Sequence, residues 1–195
     1  MNPLYTMERA NMYCGSGPAD GDASNHLSLT DVKLPGFDKA TADHHPGGAP
    51  VAVEVPLQFN RLECTFQLLG LTPQVLSLVG SWTTAQNTFY IYGNIRDQIT
   101  GQEAQAAALI KGILGRADPQ NWTATAAHHT QYALKAIVHY EFQIAGDEIY
   151  NWDFAGNQMI VGGVDRQANT NQNLMIPNTT VAAGLGTTAG FTPGL

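Results

Sequence analysis

Residues 134–144 read LKAIVHYEFQI and decide the fold class of this chain. Apolar and polar residues alternate along this stretch, and alternation with a period of two is typical of a strand with one buried face. The apolar face carries Leu134, Ala136, Val138, Tyr140, Phe142 and Ile144. The opposite face carries Lys135, His139, Glu141 and Gln143, with Ile137 as the exception. Turn residues follow at 145–147 and the pattern resumes at 149–154, so we expect a long antiparallel hairpin.

Further strands are predicted by the same alternation in other parts of the chain. The clearest covers 61–69, and weaker ones cover 11–14, 27–33, 51–57, 88–96, 104–114 and 159–164. Between them, Thr72 occupies an N-cap position, Pro73 follows, and Val75 begins an apolar helical spacing. This predicts one short helix over 72–80. About eight strands and one helix indicate a mainly β chain, an antiparallel β-sandwich or partly closed barrel.

The length of 195 residues predicts one β-domain, covering 1–176. Within it, residues 36–49 are polar and rich in glycine, so we expect an extended loop. Residues 177–195 contain Gly, Thr and Ala without any charge, which indicates a C-terminal arm. Only 13% of residues are charged and 44% are hydrophobic. So few charges favour a surface that is covered by partners.

The net charge of −7 disfavours a conventional nucleic-acid binder, because such proteins need clustered Lys and Arg. The first ten residues lack the apolar run of a signal peptide. No segment has the roughly 20 apolar residues that a membrane helix needs. We therefore expect synthesis in the cytoplasm and no membrane segment.

Two cysteines, Cys14 and Cys64, are too few for a disulfide scaffold and lack the spacing of a zinc site. Cys64 lies on the apolar face of its predicted strand and reads as a small buried hydrophobe. Cys14 ends a predicted strand. A disulfide between them, within one chain or between neighbouring chains, stays open as an alternative.

No motif for catalysis or cofactor binding emerges. Adjacent histidines at 44–45 and 128–129 point to opposite faces of a strand and have no third ligand at a defined spacing. Gly184 and Gly186 resemble a nucleotide loop only superficially, since no strand precedes them. The sequence contains neither a nucleophile-elbow motif nor a pair of carboxylates within a recognisable catalytic motif. We therefore expect no enzyme activity, no cofactor and no metal site.

Three segments carry a resemblance to a known family. They are VKLP at 32–35 leading into the loop with Gly47-Gly48, LECTF at 62–66 followed by TPQVL at 72–76, and VGGVDR at 161–166. In this order and spacing, over roughly residues 8–177, the chain resembles the major tail tube protein of contractile-tailed bacteriophages. Gly162 stands where the family commonly has Asn, the loop at 15–26 is longer than expected, and the C-terminal arm looks like an addition.

The resemblance implies an assembly. Six copies would form a ring whose strands join into one inner barrel, and rings would stack into a hollow tube. A contractile sheath protein would surround the tube, and genomic DNA would pass through without specific binding. The protein would then belong to the virion tail, assembled in the cytoplasm of the host bacterium.

Within this framework the candidate subunit-interface residues are Asp38, Lys39, Gly47, Gly48, Asp165 and Arg166. The first four lie in the loop 36–49, which is alternatively an ordinary mobile loop. Asp165 and Arg166 follow the last strand and are alternatively a surface ion pair. Glu54 and Glu103 are candidates for an acidic lumen that would repel DNA, or are solvated surface charges.

Two alternative functions remain open. A tube protein of a phage-derived contractile injection system or bacteriocin would share the fold and carry no DNA. A monomeric β-sandwich carbohydrate-binding module would use Trp82, Trp122 and Trp152 as stacking platforms. Trp152 alternates with Tyr150 and Phe154, which favours core packing for that residue.

Overall fold

The structure is a computed structural model that describes residues 3–15, 17–48, 50–79, 86–177 and 184–185. Within these ranges the chain is mainly β, as predicted. The strands are β1 Tyr5–Cys14, β2 Leu29–Lys33, β3 Lys39–His44, β4 Val53–Phe59, β5 Cys64–Leu69, β6 Asn87–Asp97, β7 Glu103–Pro119, β8 His129–Ile144, β9 Asp147–Asp153, β10 Gln158–Val161 and β11 Val164–Asp165. The helices are α1 Pro73–Leu76 and α2 Ala168–Asn173, with a 3-10 turn at Gly21–Ala23.

Nine of these strands form one antiparallel sheet. Its main path runs β1-β6-β7-β8-β9-β10-β11, and β5 joins the beginning of β8 with β2 on its far side. The predicted hairpin is β8 and β9, and it lies at the centre of this path. Strands β3 and β4 form a separate two-stranded sheet.

A bulge at the centre of β7 and β8 bends the sheet. The register between the two strands shifts from Lys111 to Ile113, opposite Ala136, which has a φ of 48°. Gly112 lies at the same point, and a Cβ there would stand 3.0 Å from the carbonyl oxygen of Lys135. Bulges increase local twist. The first half of β8 therefore pairs with β5, and the second half pairs with β9.

At this bulge the side chains of β8 differ from the face pattern that the sequence predicted. Ala136 is exposed, whereas Ile137 is buried in the core. The extra residue of a bulge changes which face the following side chains point to. The exception noted at Ile137 is the trace of this bulge in the sequence.

The apolar core lies between the two branches of the bent sheet. Met12, Phe89 and Ile91 from β1 and β6 belong to the same buried cluster as Phe66 from β5. The ring of Tyr132 stacks on Phe66 with 5.0 Å between centroids. This arrangement is the sandwich or partly closed barrel that the strand pattern predicted.

Helix α1 closes one end of the core. Val75 is buried and Leu78 packs on the same cluster. The N-cap position of Thr72 and the N1 position of Pro73 are confirmed, but the Thr72 side chain makes no capping hydrogen bond. The helix is shorter than the predicted 72–80, and the sequence reasoning missed α2.

Both cysteines are free thiols buried in this core, and a disulfide between Cys14 and Cys64, within one chain or between chains, stays a prediction. Burial raises the pKa of Cys14 to about 12. Burial, with Cys14 nearby, raises the pKa of Cys64 to about 12 as well. The interpretation of Cys64 as a small buried hydrophobe agrees with this position.

The predicted loop 36–49 is not simply a loop, because β3 occupies Lys39–His44 and pairs with β4. The sequence missed this strand, since its residues show no apolar alternation. Of the predicted C-terminal arm, only residues 177 and 184–185 lie within the described ranges. Among the described helices, none is long and apolar enough to cross a membrane.

Candidate assembly interface

The β3–β4 hairpin, residues 39–59, projects from the body and is called the arm below. Strand β4 alternates, so that every second side chain faces the same way. One face of β4 presents Val53, Val55 and Leu57, which are 59%, 44% and 54% exposed. Phe59, which is 40% exposed, follows a register shift between Pro56 and Phe59 and lies at the base of the hairpin. Within the described residues β3 and β4 pair only with each other. An exposed apolar stripe of this kind marks an interaction site.

The base of the arm is closed by hydrogen bonds and packs on the body through Phe37. Asn60 donates its backbone N–H to the Asp38 carbonyl oxygen at 2.7 Å, and its side-chain amide to Asp38 Oδ2 at 2.8 Å, so the two ends of the hairpin are joined. The ring of Phe37 lies 5.7 Å from Phe59 and 5.2 Å from Tyr150. Phe37 therefore connects the base of the arm to an aromatic ring of the body.

Two predicted interface residues lie at this base. Asp38 makes the bonds to Asn60, and the Lys39 ammonium lies 5.0 Å from the centroid of the Phe59 ring, within range of a cation–π contact. Both side chains therefore have a role within the subunit. Gly47 and Gly48 lie instead at the far end of the arm, where a Cβ would meet no atom within 4 Å.

Glu54 lies on the polar face of the arm. Its cross-strand partner is Asp43, and both residues are exposed. Like charges placed directly opposite each other destabilise a strand pair. The arm therefore presents a small acidic spot beside its apolar stripe, and a cation from another molecule would relieve the repulsion.

An apolar groove of about 810 Å³ lies beside the base of the arm. Phe37 and Phe59 line its arm side, and Ile137, Trp152 and Phe154 line its body side. Phe154 is 70% exposed. Trp152 packs against the core cluster, as its alternation with Tyr150 predicted. The groove continues the apolar surface of the arm onto the body.

The large sheet ends in unpaired edges. Among the described residues, β1 pairs with β6 on one side and has only an isolated bridge from Tyr13 to Ser24 on the other, and β2 pairs with β5 on one side. Tyr5 and Met7, in the first half of β1, are 40% and 59% exposed. Open edges with exposed apolar side chains are templates for pairing with another chain.

Asp165 and Arg166 do not form the alternative surface ion pair within the described residues, and an ion pair between subunits stays a prediction. Asp165 Oδ1 accepts the backbone N–H of Gln167 at 2.9 Å, and the backbone N–H of Arg166 donates to the Met159 carbonyl oxygen at 2.8 Å. Between β10 and β11, Gly162 and Gly163 have φ values of 59° and 78°. Positive φ favours glycine, so this turn accounts for Gly162.

Glu103 belongs to an exposed charge cluster. Arg96 bridges Glu103 and Glu8, with 2.5 Å between Arg96 Nε and Glu8 Oε1. The hydrogen bond from Arg96 lowers the pKa of Glu8. Glu103 is therefore partly neutralised by a neighbouring cation and is not an isolated acidic group.

The remaining predicted candidates lie apart. Trp122 is 81% exposed and meets only the edge of His128, with 6.4 Å between ring centroids. Trp82 lies outside the described residues. Among the described residues, no group of three His, Cys, Asp or Glu side chains could hold a metal ion.

The apolar stripe of the arm is the surface that sequence reasoning missed. Its signal was present, since Val53, Val55 and Leu57 alternate within the predicted strand 51–57. Alternation alone predicts a buried face. Only the structure shows that no part of the described body covers it.

Comparison with solved structures supports the fold. The sheath/tube terminator of the extracellular contractile injection system PVC has a TM-score of 0.50 at 12% identity, covering 73% of this chain and 98% of that chain. A chain of the anti-feeding prophage (AFP) baseplate has a TM-score of 0.51 at 9% identity, covering 73% of this chain and 97% of that chain. At such identities the likeness concerns the fold alone.

The family itself follows from a sequence comparison. No curated protein matches the chain. The family model for phage tail tube protein FII, however, matches residues 19–174, which include the arm and every strand of the large sheet except β1. The chain belongs to the phage tail tube protein FII family.

Proposed function

We propose that this protein forms the inner tube of a contractile phage tail, in which six copies close into a ring and rings stack into a hollow conduit. The observation that carries the proposal is the arm, whose apolar stripe is exposed in the single subunit while its base packs on the body through Phe37. Covering such an apolar surface with a partner removes it from water and is therefore favourable. Family membership supports a second copy of the chain as that partner.

Two kinds of contact would build such a tube. The edge of β1 would pair with a strand of the next subunit, so that the sheets of six copies join into one inner barrel. The arm would reach an adjacent subunit or ring, with Gly47 and Gly48 at the contact. Contacts that close by rotation give rings, and contacts along the axis extend them into a filament.

The conduit would carry DNA without binding it. A net charge of −7 in each copy disfavours adhesion of a polyanion to the wall. Glu54 and Glu103 stay the candidates for lumen residues, although Arg96 partly neutralises Glu103. Asp165 and Arg166 stay interface candidates and would form an ion pair between neighbouring subunits. A contractile sheath protein would cover the outside of the tube in the virion.

Electron microscopy of the purified full chain, combined with mass photometry over a range of concentrations, tests this proposal. Six-fold rings with a central hole, or stacked tubes, are the expected result. A particle that stays monomeric at every concentration, also in the presence of a tail initiator complex, would remove the proposal and favour a discrete binding module.

The second candidate is the tube of a phage-derived contractile injection machine, which would build the same rings without DNA. The fold likeness to a component of the PVC injection system favours it. Both candidates predict tubes, so the discriminating measurement is DNA content. Intact particles that carry this protein and protect a genome from nuclease support the phage tail, and particles free of DNA support the injection machine.

A further inference from the structure

The outer face of the large sheet contains a buried polar cluster that the tube proposal does not use. Ala108 and Ile110 of β7 point into the core, so Leu109 points to the opposite face. Glu141 of β8 is the cross-strand partner of Leu109, and Asn151 of β9 is the partner of Glu141. Leu109 is 2% exposed, and Glu141 and Asn151 are 0% and 2% exposed. Something must therefore cover this face.

Part of the cover is the C-terminal segment. The backbone N–H of Gly184 donates to Glu141 Oε2 at 2.7 Å, and the backbone N–H of Leu185 donates to the same oxygen at 3.2 Å. Hydrogen bonds to an ionised acceptor are about twice as strong as neutral ones. Two successive main-chain donors on one carboxylate oxygen form a specific attachment point.

The carboxylate is oriented for this contact by side chains of the sheet. Gln143 donates to the other oxygen, Glu141 Oε1, at 2.7 Å. His139 Nε2 lies 4.0 Å from Oε2, and His139 Nδ1 lies 3.1 Å from Asp153 Oδ2. Glu141 is therefore held in place from within the sheet, leaving Oε2 directed toward the segment.

Gly184 approaches the sheet closely. A Cβ at this position would stand 2.9 Å from Leu109 Cδ1 and 3.7 Å from Glu141 Oε2. A Cβ contact of 2.9 Å does not occur without movement, so a larger residue at 184 would require the Leu109 side chain or the segment to shift.

We propose that the outer face of β7, β8 and β9 carries a main-chain binding site, centred on Glu141, that captures the C-terminal segment of this chain at Gly184 and Leu185. The ligand is a peptide main chain that offers two successive N–H groups and has glycine at the first position. These contacts lie within one copy, so the site operates whether or not the subunit builds a tube.

Hydrogen exchange on the full chain tests the site, read as the exchange rates of the Gly184 and Leu185 amides. Since a hydrogen bond to a charged group contributes roughly 1.5–3 kcal/mol, both amides should exchange about tenfold or more slowly than in a free peptide of residues 178–195. Glu141→Gln removes the charge and should remove about tenfold of this protection. Gly184→Ala changes the same contact on the side of the C-terminal segment and leaves the residues of the sheet unchanged.

The matched control is Gly36→Ala, where a Cβ meets no atom within 4 Å, and it should retain the protection of the unmodified chain. If Glu141→Gln fails to fold, Gly184→Ala carries the test. Peptide-like exchange in the unmodified chain, or unchanged protection in both variants, would overturn the proposal. Protection that emerges only at concentrations where copies associate would also overturn it, because the segment would then come from a second copy.

A pH series separates the role of the Glu141 carboxylate from steric packing, because packing alone would give protection that does not change with pH. Burial raises the pKa of Glu141, but the hydrogen bonds from His139, Gly184, Leu185 and Gln143 outweigh it and lower the pKa. Other charged groups facing the cluster are Lys111 on β7 and Asp153 and Glu148 on β9. A lowered carboxyl pKa means that capture persists above the ordinary pKa and is lost as pH falls through the lowered one. After correction for intrinsic exchange, protection independent of pH would contradict a role for the carboxylate.

Discussion

Replacing Val53 and Val55 together by threonine should block assembly and leave the subunit folded. Both side chains lie on the apolar stripe of the arm and contribute nothing to the core cluster. Threonine keeps the β-branched shape and the strand preference of valine, so the arm itself should persist. Only the chemistry of the exposed stripe changes.

The size of the effect follows from the exposed area. Val53 and Val55 are 59% and 44% exposed, so together they offer about the surface of one complete valine. Threonine keeps one of the two methyl groups of valine, so the apolar burial lost at both positions together is about 1 kcal/mol. Each of the two hydroxyls costs about 1–3 kcal/mol when it is desolvated without a partner. A total loss of about 3–7 kcal/mol per contact raises the concentration needed for assembly roughly 100-fold or more.

The assay is a concentration series followed by mass photometry and negative-stain microscopy. Far-ultraviolet circular dichroism and the thermal unfolding midpoint of the dilute subunit show whether folding is preserved. The control replaces Glu54 by threonine, because this residue is exposed on the opposite face of the same strand, before the bulge of β4. The control should assemble at nearly the concentration of the unmodified chain.

One result would refute the reasoning directly. If the Val53 and Val55 variant assembles normally while the Glu54 variant does not, the polar face of the arm makes the contact. The apolar stripe would then need another explanation. If both variants assemble normally, the arm is not part of the interface at all.

Three further outcomes are expected. Cys14 and Cys64 should resist maleimide in the native state and react fully in denaturant, because burial raises both thiol pKa values to about 12. Ala136→Val should destabilise the subunit by about 1–3 kcal/mol, read from thermal unfolding, because a β-branched residue tolerates the positive φ of the bulge poorly. Asp97→Asn should flatten the loss of stability in acid, since hydrogen bonds, first that from the backbone N–H of Ile99 and then that from the Thr100 side chain, lower the pKa of Asp97.

Each of these has its own check. Rapid native labelling would show that a thiol is not buried, and gel mobility should be the same with and without reductant. Ala136→Gly should be at least as stable as the original chain, because glycine adopts positive φ freely. For Asp97, a lowered pKa means that its contribution is lost as pH falls through that value, so an unmodified chain with pH-independent unfolding would contradict the assignment.

The alternation from 134 to 144 was enough to predict the central hairpin, since a two-residue period has one geometric meaning in a half-buried strand. The same holds for the predicted strands at 61–69 and 88–96, which lie close to β5 and β6. Thr72 and Pro73 marked the beginning of α1 because proline and N-cap preferences depend on the local backbone. These features are encoded within a few residues of each other.

Tertiary structure alone decided three other features. The bulge at Ala136 depends on the register of β8 against β7, so it left only the misplaced Ile137 as a sign. Strand β3 exists because β4 pairs with it, and its own residues lack alternation. Glu141 is buried because a segment more than forty residues later in the chain donates to it. Local patterns determined the strands and the short helix of this protein, whereas contacts between distant residues determined which faces are covered and which stay open, because burial depends on what packs nearby and not on the neighbours in sequence.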